Sequence, residues 1–156
     1  STTVASGDFV DGMVITYTTH GDDGSLTDSV TLKELDEGSG NVTAILSNEA
    51  HILPAGNDGA VSDYSNSGTN INVFEGATEL SFDGSGTSNG TFNVSVGNTA
   101  DITEGTVSDG GNHAIIADHS AASDGTDSYV ITYTISGKTQ NGTSFSQTKT
   151  QSLQEL

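Results

Sequence analysis

Acidic turns are the parts of this sequence best suited to chemistry, because carboxylates are the hard oxygen ligands that calcium prefers. In several turns an acidic pair or near-pair adjoins a glycine. Neither the EF-hand loop pattern nor the glycine-rich nonapeptide repeat is present, and ordinary Asp-Gly turns have the same composition. The candidate calcium ligands are Asp22, Asp23, Asp124 and Asp127. No other cofactor is predicted.

A second candidate metal set combines His113, Asp118 and His119, with Asp109 nearby. Its spacing matches no zinc signature. Asp118 and His119 are adjacent, and adjacent side chains of a strand point to opposite faces of a sheet. Metal ligation by this set is therefore disfavoured.

Covalent catalysis finds little support. The chain has no cysteine, which excludes a disulfide, a thiol nucleophile and a thiolate zinc site. Neither a G-x-S-x-G elbow nor a dinucleotide-binding glycine fingerprint is present. Paired carboxylates for glycoside hydrolysis stay open, because their separation depends on the fold. The sequence predicts a protein that is not an enzyme, with no catalytic residues.

Glycosylation is the remaining side-chain chemistry. Four N-x-[ST] sequons occur in a chain rich in Asn, Ser and Thr, where several are expected by chance. Their acceptors are Asn41, Asn89, Asn93 and Asn141.

The charge balance restricts the partners. The chain has 21 acidic residues against three basic ones, for a formal net charge of −18. Such a chain repels phosphate backbones and anionic membrane surfaces, so no nucleic acid is predicted as a partner. No apolar run reaches membrane-spanning length, so no membrane insertion is predicted. Subunits that pack side by side need salt or divalent cations to screen this charge.

Short segments of alternating polarity, separated by Asp-Gly and Asn-Gly turns, predict about ten strands and no helix. The predicted strands are 13–19, 26–35, 42–47, 60–64, 70–74, 79–82, 91–96, 114–117, 128–136 and 144–153. Strands at this spacing favour an all-β sandwich. Residues 144–153 are polar on both faces along the middle, which is typical of an edge strand or a solvated surface. Aromatic residues are predicted in the core: Tyr17, Phe74, Phe82, Phe92, Tyr129, Tyr133 and Phe145.

An internal repeat marks the two ends of the chain. The pentapeptide VITYT occurs at 14–18 and again at 130–134, and each copy is followed by a turn and by Leu-x-Glu-Leu, at 32–35 and 153–156. The second copy closes a body that starts near residue 40, whereas only twelve residues precede the first. We therefore predict two domains, an N-terminal hairpin segment (1–38) and a β-sandwich (39–156).

The extra hairpin is predicted to assemble the protein. An extended segment supplied in trans satisfies unpaired backbone groups, and head-to-tail repetition produces a fibre. The alternative is a small satellite sheet packed on the chain's own body, since an isolated hairpin is only marginally stable. The residues expected to form the assembly interface are Val14, Ile15, Tyr17 and Leu32.

Three stretches carry a family resemblance: LSNEAHILPA (46–55), VFEGATEL (73–80) and VITYTISGK (130–138). They resemble a β-sandwich module of bacteriophage tail-fibre and tail-tip proteins, where it is a structural or host-facing domain. The resemblance covers about residues 42–153. Phage fibre chains with such modules are usually much longer and include trimerisation regions, which this sequence lacks.

Together these features predict an immunoglobulin-like β-sandwich that forms a secreted, pilus-like homopolymer by strand complementation. The start at Ser1 is expected of an exported chain whose signal has been removed, and equally of an excised piece. Two alternatives remain: a phage tail-fibre module that binds a surface glycan, and a repeat from a large bacterial adhesin. All three place the chain outside the cell, on an appendage or a virion fibre.

Overall fold

The computed structural model of the chain describes residues 14–21, 24–31, 41–97, 100–123 and 126–156. It divides into two units, Ser1–Gly38 and Ser39–Leu156. The described residues contain strands and no α-helix, which confirms the all-β prediction. In the same part of the chain, no helix has the length and hydropathy needed to cross a membrane.

The described residues of the first unit form two strands, β1 (Val14–Gly21) and β2 (Gly24–Thr31). They pair antiparallel from Val14 opposite Thr31 to Gly21 opposite Gly24. This pairing leaves a two-residue connection, the length typical of a tight hairpin.

The described residues of the second unit form ten strands in two five-stranded sheets. They are β3 (Val42–Leu46), β4 (Ala50–Leu53), β5 (Thr69–Glu75), β6 (Thr78–Glu79), β7 (Ser81–Phe82), β8 (Thr91–Val96), β9 (Val107–Asp109), β10 (Ala114–Ile116), β11 (Ser128–Lys138) and β12 (Ser144–Glu155).

In the first sheet the strands lie in the order β3-β5-β10-β9, and β6 pairs with β5. In the second sheet the order is β4-β12-β11-β8-β7. Neighbouring strands are antiparallel except for the pairs β4–β12 and β7–β8. Consecutive strands β3 and β4 therefore belong to different sheets.

The core contains inward side chains from both sheets, as expected of a β-sandwich. Burial alternates along the strands, which is the period of a sheet with one covered face. In β11, Ile131, Tyr133 and Ile135 are fully buried while the residues between them are not. Phe82 and Phe92 pack edge to face with ring centroids 5.5 Å apart, which links β7 to β8.

Four of the predicted turns have their glycine in the expected conformation, whereas in the turn at Asp109-Gly110 the positive φ falls on Gly111. Gly59, Gly84, Gly90 and Gly142, each in a predicted Asn-Gly or Asp-Gly turn, have positive φ. An L-residue with a Cβ adopts this conformation at a cost, so glycine is the expected residue there.

Several element predictions are wrong. Residues 60–64 form no strand, and only Val61 makes an isolated bridge, to Ala55. The predicted strand 79–82 is two short strands in different sheets, β6 and β7. The strands β4 and β9 were not predicted at all. All of these are short segments, whose pairing depends on neighbours distant in sequence.

The interpretation of 144–153 as an edge strand is also wrong. β12 lies inside its sheet, between β4 and β11. Its polar inward residue Gln151 is fully buried and satisfied by hydrogen bonds. Of the predicted core aromatics, Phe74 is only half-buried, and the side chain of Tyr17 lies outside the described part of the structure.

Candidate functional site

Three of the four predicted assembly residues, Val14, Ile15 and Tyr17, lie on β1. Val14 pairs with Thr31, Ile15 with Val30 and Tyr17 with Asp28. Because side chains alternate along a strand, Ile15 and Tyr17 share one face of the hairpin and Val14 belongs to the other. Leu32, the fourth predicted residue, lies outside the described residues.

The two copies of the repeat have the same register. Val14 pairs with Thr31, next to Leu32 in sequence, and Val130 pairs with Ser152, next to Leu153. Every backbone pair of the first hairpin has a counterpart in the second. The last pair of the first hairpin, Gly21 with Gly24, corresponds to Gly137 with Phe145. The two hairpins differ mainly in the loop, which runs over 139–143 in the second copy. The repeat is therefore one of backbone pairing as well as of sequence.

The C-terminal hairpin lies in the middle of its sheet. The edge of β11 that faces away from β12 pairs with β8, and the edge of β12 that faces away from β11 pairs with β4. Gly137 permits a close approach of β8, since a Cβ there would lie 2.2 Å from the carbonyl oxygen of Thr91. Both outer edges of this hairpin are thus occupied by strands of its own chain.

A buried polar network lies between the sheets beside this hairpin. Its centre is Gln151, whose Oε1 accepts the hydroxyl of Tyr133 at 2.6 Å and lies 3.0 Å from Nε2 of His119. The Gln151 amide nitrogen donates to the carbonyl oxygen of Ser67 at 2.8 Å. Among the described residues, no buried side-chain nitrogen or oxygen lacks a partner.

The tautomer of His119 follows from its partners. Its Nδ1 accepts the backbone N–H of Gly105 at 3.0 Å, which places the ring proton on Nε2, facing Gln151. Burial raises the pKa of the Tyr133 hydroxyl, and the negative charge of Glu104 adds to this shift. Both nitrogens of the His119 ring are thus used inside the protein.

Sequence reasoning missed this network. The available signal is a polar residue, Gln151, at an inward position of an alternating strand. Gly105 also contributes, since a Cβ there would lie 1.8 Å from the carbonyl oxygen of Ala117. A larger residue at 105 would separate this loop from β10 and remove the donor to His119.

Tyr129 holds the start of β11. Its hydroxyl lies 3.1 Å from the carbonyl oxygen of Ser123 and 2.5 Å from Oε1 of Glu155. Burial and the nearby Glu155 carboxylate raise the pKa of Tyr129. The single hydroxyl proton has two acceptors, which tie the loop before β11 to the end of β12.

An open polar cleft of about 660 Å³ lies at one end of the body. His51, Asn66, Asn70 and Asp118 contribute to its lining, together with Asn48. The Asn48 amide donates to the carbonyl oxygens of Asn66 and of Gly68, both at 3.0 Å, so its position is set by the backbone. Asp118 accepts the N–H of Gly68 at 2.9 Å. Two of the lining side chains, Asn48 and Asp118, are therefore held in place by hydrogen bonds to the backbone.

The structure describes one of the four candidate calcium ligands. The backbone carbonyl of Asp127 accepts the side-chain amide of Gln154 at 2.6 Å and the N–H of Glu155 at 2.9 Å. Asp22, Asp23 and Asp124 lie outside the described residues. Within the described ranges, no group of three or more His, Asp or Glu side chains is arranged to hold a metal. The calcium site stays a prediction.

The four sequon asparagines are placed at the surface of the body. Asn41, Asn89 and Asn141 are exposed, and Asn93 is half-buried on β8, where its Oδ1 accepts the Ser136 hydroxyl at 2.6 Å. Glycosylation at these positions stays a prediction.

The outward side of the C-terminal hairpin contains no acidic residue, in contrast to the rest of this acidic chain. Serine and threonine dominate it. The outward residues are Ser128, Val130, Thr132, Thr134, Ser136, Lys138, Ser144, Ser146, Thr148, Thr150, Ser152 and Gln154.

Comparison of the sequence with protein-family models and with curated proteins finds no match. The resemblance to the phage tail-fibre module stays a prediction.

Proposed function

We propose that this chain is a non-enzymatic structural module of an extracellular fibre, built on an immunoglobulin-like sandwich, with the N-terminal hairpin as its assembly element. The fibre grows through contacts between modules of the same kind. Its partner is therefore another module of the same fold.

The strand order supports the immunoglobulin-like type. In that fold, strands A, B, E and D form one sheet and C, F and G the other. The order β3-β5-β10-β9 matches the first and β8-β11-β12 matches the second. Tyr129 supports it further, because a tyrosine near the start of strand F characteristically bonds the backbone a few residues upstream, as Tyr129 does with Ser123.

The single observation that carries the fibre function is the shared register of the two hairpins. A hairpin that repeats the last two strands of a sandwich provides strands for a second sandwich, and repetition of that step extends the assembly in one direction. The outward side of β11 and β12, which contains no acidic residue, also supports assembly. It provides a surface on which highly charged modules can approach one another.

The function is tested by immunogold electron microscopy of the cells or virions that carry the protein, with an antibody raised against residues 39–156. We expect gold along extracellular fibres. Antibody preadsorbed with residues 39–156 provides the control and should remove the labelling. Gold confined to the interior of intact cells and particles would contradict the proposal.

The polar cleft favours a second candidate function, binding of a surface glycan as in a phage tail fibre. Amide, imidazole and carboxylate groups that converge in one concave site are suited to hydroxyl-rich ligands. On a glycan array, the chain should retain a defined glycan, and His51→Ala should reduce this signal by at least about tenfold, the effect of losing roughly one hydrogen bond to the ligand. His113→Ala, outside the cleft, is the matched control. Absence of any glycan signal above background rejects this candidate.

A further inference from the structure

We infer that the N-terminal hairpin completes a second sandwich whose other strands come from residues upstream in the same polypeptide, and that it does not dock on an intact copy of this body. This inference rests on the proposed immunoglobulin-like fibre module and names the partner of its assembly element. The fibre is then a series of covalently linked modules.

The first step is the equivalence of the two hairpins. Every backbone pair of β1–β2 has a counterpart in β11–β12 at the same distance from the shared VITYT motif. Ile15 and Tyr17 occupy the register positions of Ile131 and Tyr133, both fully buried in the body. A hairpin with this pattern needs a facing sheet to cover the same two positions.

The second step concerns the strand at the edge of the hairpin. Gly137 is required because β8 approaches it closely, with Phe92 Cα only 2.8 Å from the position of a Cβ. Gly21 occupies the equivalent position in β1. The same small residue at the same register position fits a strand equivalent to β8 beside the first hairpin.

The third step excludes an intact copy as the partner. In this body the place between β4 and β8 is filled by β11 and β12, and Ile131 and Tyr133 already occupy the core below it. An intact copy offers only the edges of its sheets. Addition at an edge pairs one strand of the hairpin and supplies no vacant core for Ile15 and Tyr17.

The counterparts also differ in a way that specifies the partner. Val30 faces Ile15, at the place where Gln151 faces Ile131. The upstream sandwich therefore presents an apolar surface where this body presents His119 and Ser67. We infer a partner of the same fold without the buried glutamine network.

The test compares the full chain with an extended chain, in which a second copy of residues 41–127 is joined to the start of residues 12–156. In the extended chain the N-terminal hairpin therefore directly follows a body that lacks β11 and β12. The extended chain includes Val30→Gln, because the added body contains His119. Hydrogen exchange is measured by mass spectrometry, and mass by light scattering. In the full chain we expect β1 and β2 to exchange at least about a hundredfold faster than β11 and β12. In the extended chain their exchange should slow by at least about tenfold. Both chains should be monomeric.

Two variants of the extended chain sharpen the result. Tyr17→Asp should abolish the gained protection, because it places a charge in the core of the new sandwich. Thr16→Asp, one residue away on the opposite face, should preserve it.

Unchanged exchange of β1 and β2 in the extended chain would overturn the inference. So would multimers of the full chain in which these amides are protected, since the hairpin would then dock on intact copies. Neither outcome affects the immunogold labelling, which tests the fibre function separately.

Discussion

The two hairpins of this protein share a motif and a register but differ in their surroundings. β11–β12 lies between β4 and β8 with one face over the core. In the described part of the chain, β1–β2 forms a two-stranded sheet. The comparison teaches that a local sequence determines which residues pair, whereas the neighbouring strands determine what the pair contributes to stability.

The largest expected difference comes from the isoleucines at equivalent positions. Ile131→Ala should lower the free energy of unfolding of the body by about 3 kcal/mol, because it leaves a cavity in a fully packed site. Ile15→Ala should change it by less than about 0.5 kcal/mol. Urea unfolding of the full chain measures both. Equal losses would mean that the two hairpins stabilise one core, which breaks the comparison.

A smaller effect is expected where the hairpins differ in polarity. Gln151→Val, which introduces the residue of the first hairpin, should cost about 2 kcal/mol, because Tyr133 and His119 lose their shared acceptor. Ser152→Val, at the next and exposed position, is the control and should change stability by less than about 0.5 kcal/mol. If Gln151→Val is neutral in thermal and urea unfolding, the buried network does not distinguish the hairpins.

The tyrosines of the two hairpins are expected to differ in their effect on the free energy of unfolding at alkaline pH. Tyr129 and Tyr133 have pKa values raised by burial, so each binds its proton more tightly in the folded than in the unfolded chain. Their contribution is complete below about pH 10, the usual tyrosine pKa, and is lost as the pH rises above it. Replacement of either tyrosine by Phe should make the free energy of unfolding fall less steeply as the pH rises. The slope should change by less than about 1.4 kcal/mol per pH unit.

Tyr17→Phe is the matched control for this profile. It should leave the stability of the body unchanged between about pH 8 and about pH 11. An identical flattening by Tyr17→Phe in urea titrations would place Tyr17 in the same core as Tyr129 and Tyr133.

The smallest effect is expected on the outward side. Val130 is 51% exposed, so Val130→Thr should change the free energy of unfolding by less than about 0.5 kcal/mol. A larger loss in urea unfolding would mean that this side of β11 is covered.

Sequence reasoning predicted the long strands and the tight turns because both depend on local signals. Alternation placed Ile131 and Ile135 in the core, and glycine after Asn or Asp marked turns such as the one at Gly142. The short strands β4 and β9 were missed because three or four residues carry too little periodicity. Their pairing with distant strands makes them strands.

The candidate site was less predictable. The repeat drew attention to Ile15 and Tyr17, but it could not reveal that the equivalent place in the body is occupied. A polar residue such as Gln151 predicts a solvated position, because the groups that satisfy it inside the protein are not local. They are Tyr133 on the neighbouring strand β11, and His119 and Ser67 in loops far away in the sequence. The polar cleft combines Asn48 with Asp118, which no spacing relates.

By itself, the sequence determined the all-β class, the turns, the absence of cysteine chemistry and the repetition of one hairpin. These properties follow from composition and from contacts between near neighbours in the chain. Only the tertiary structure decided the division into two sheets, the central place of β12 and the common register of the hairpins. Strand order and burial depend on residues distant in the sequence, which meet only when the sheets pack.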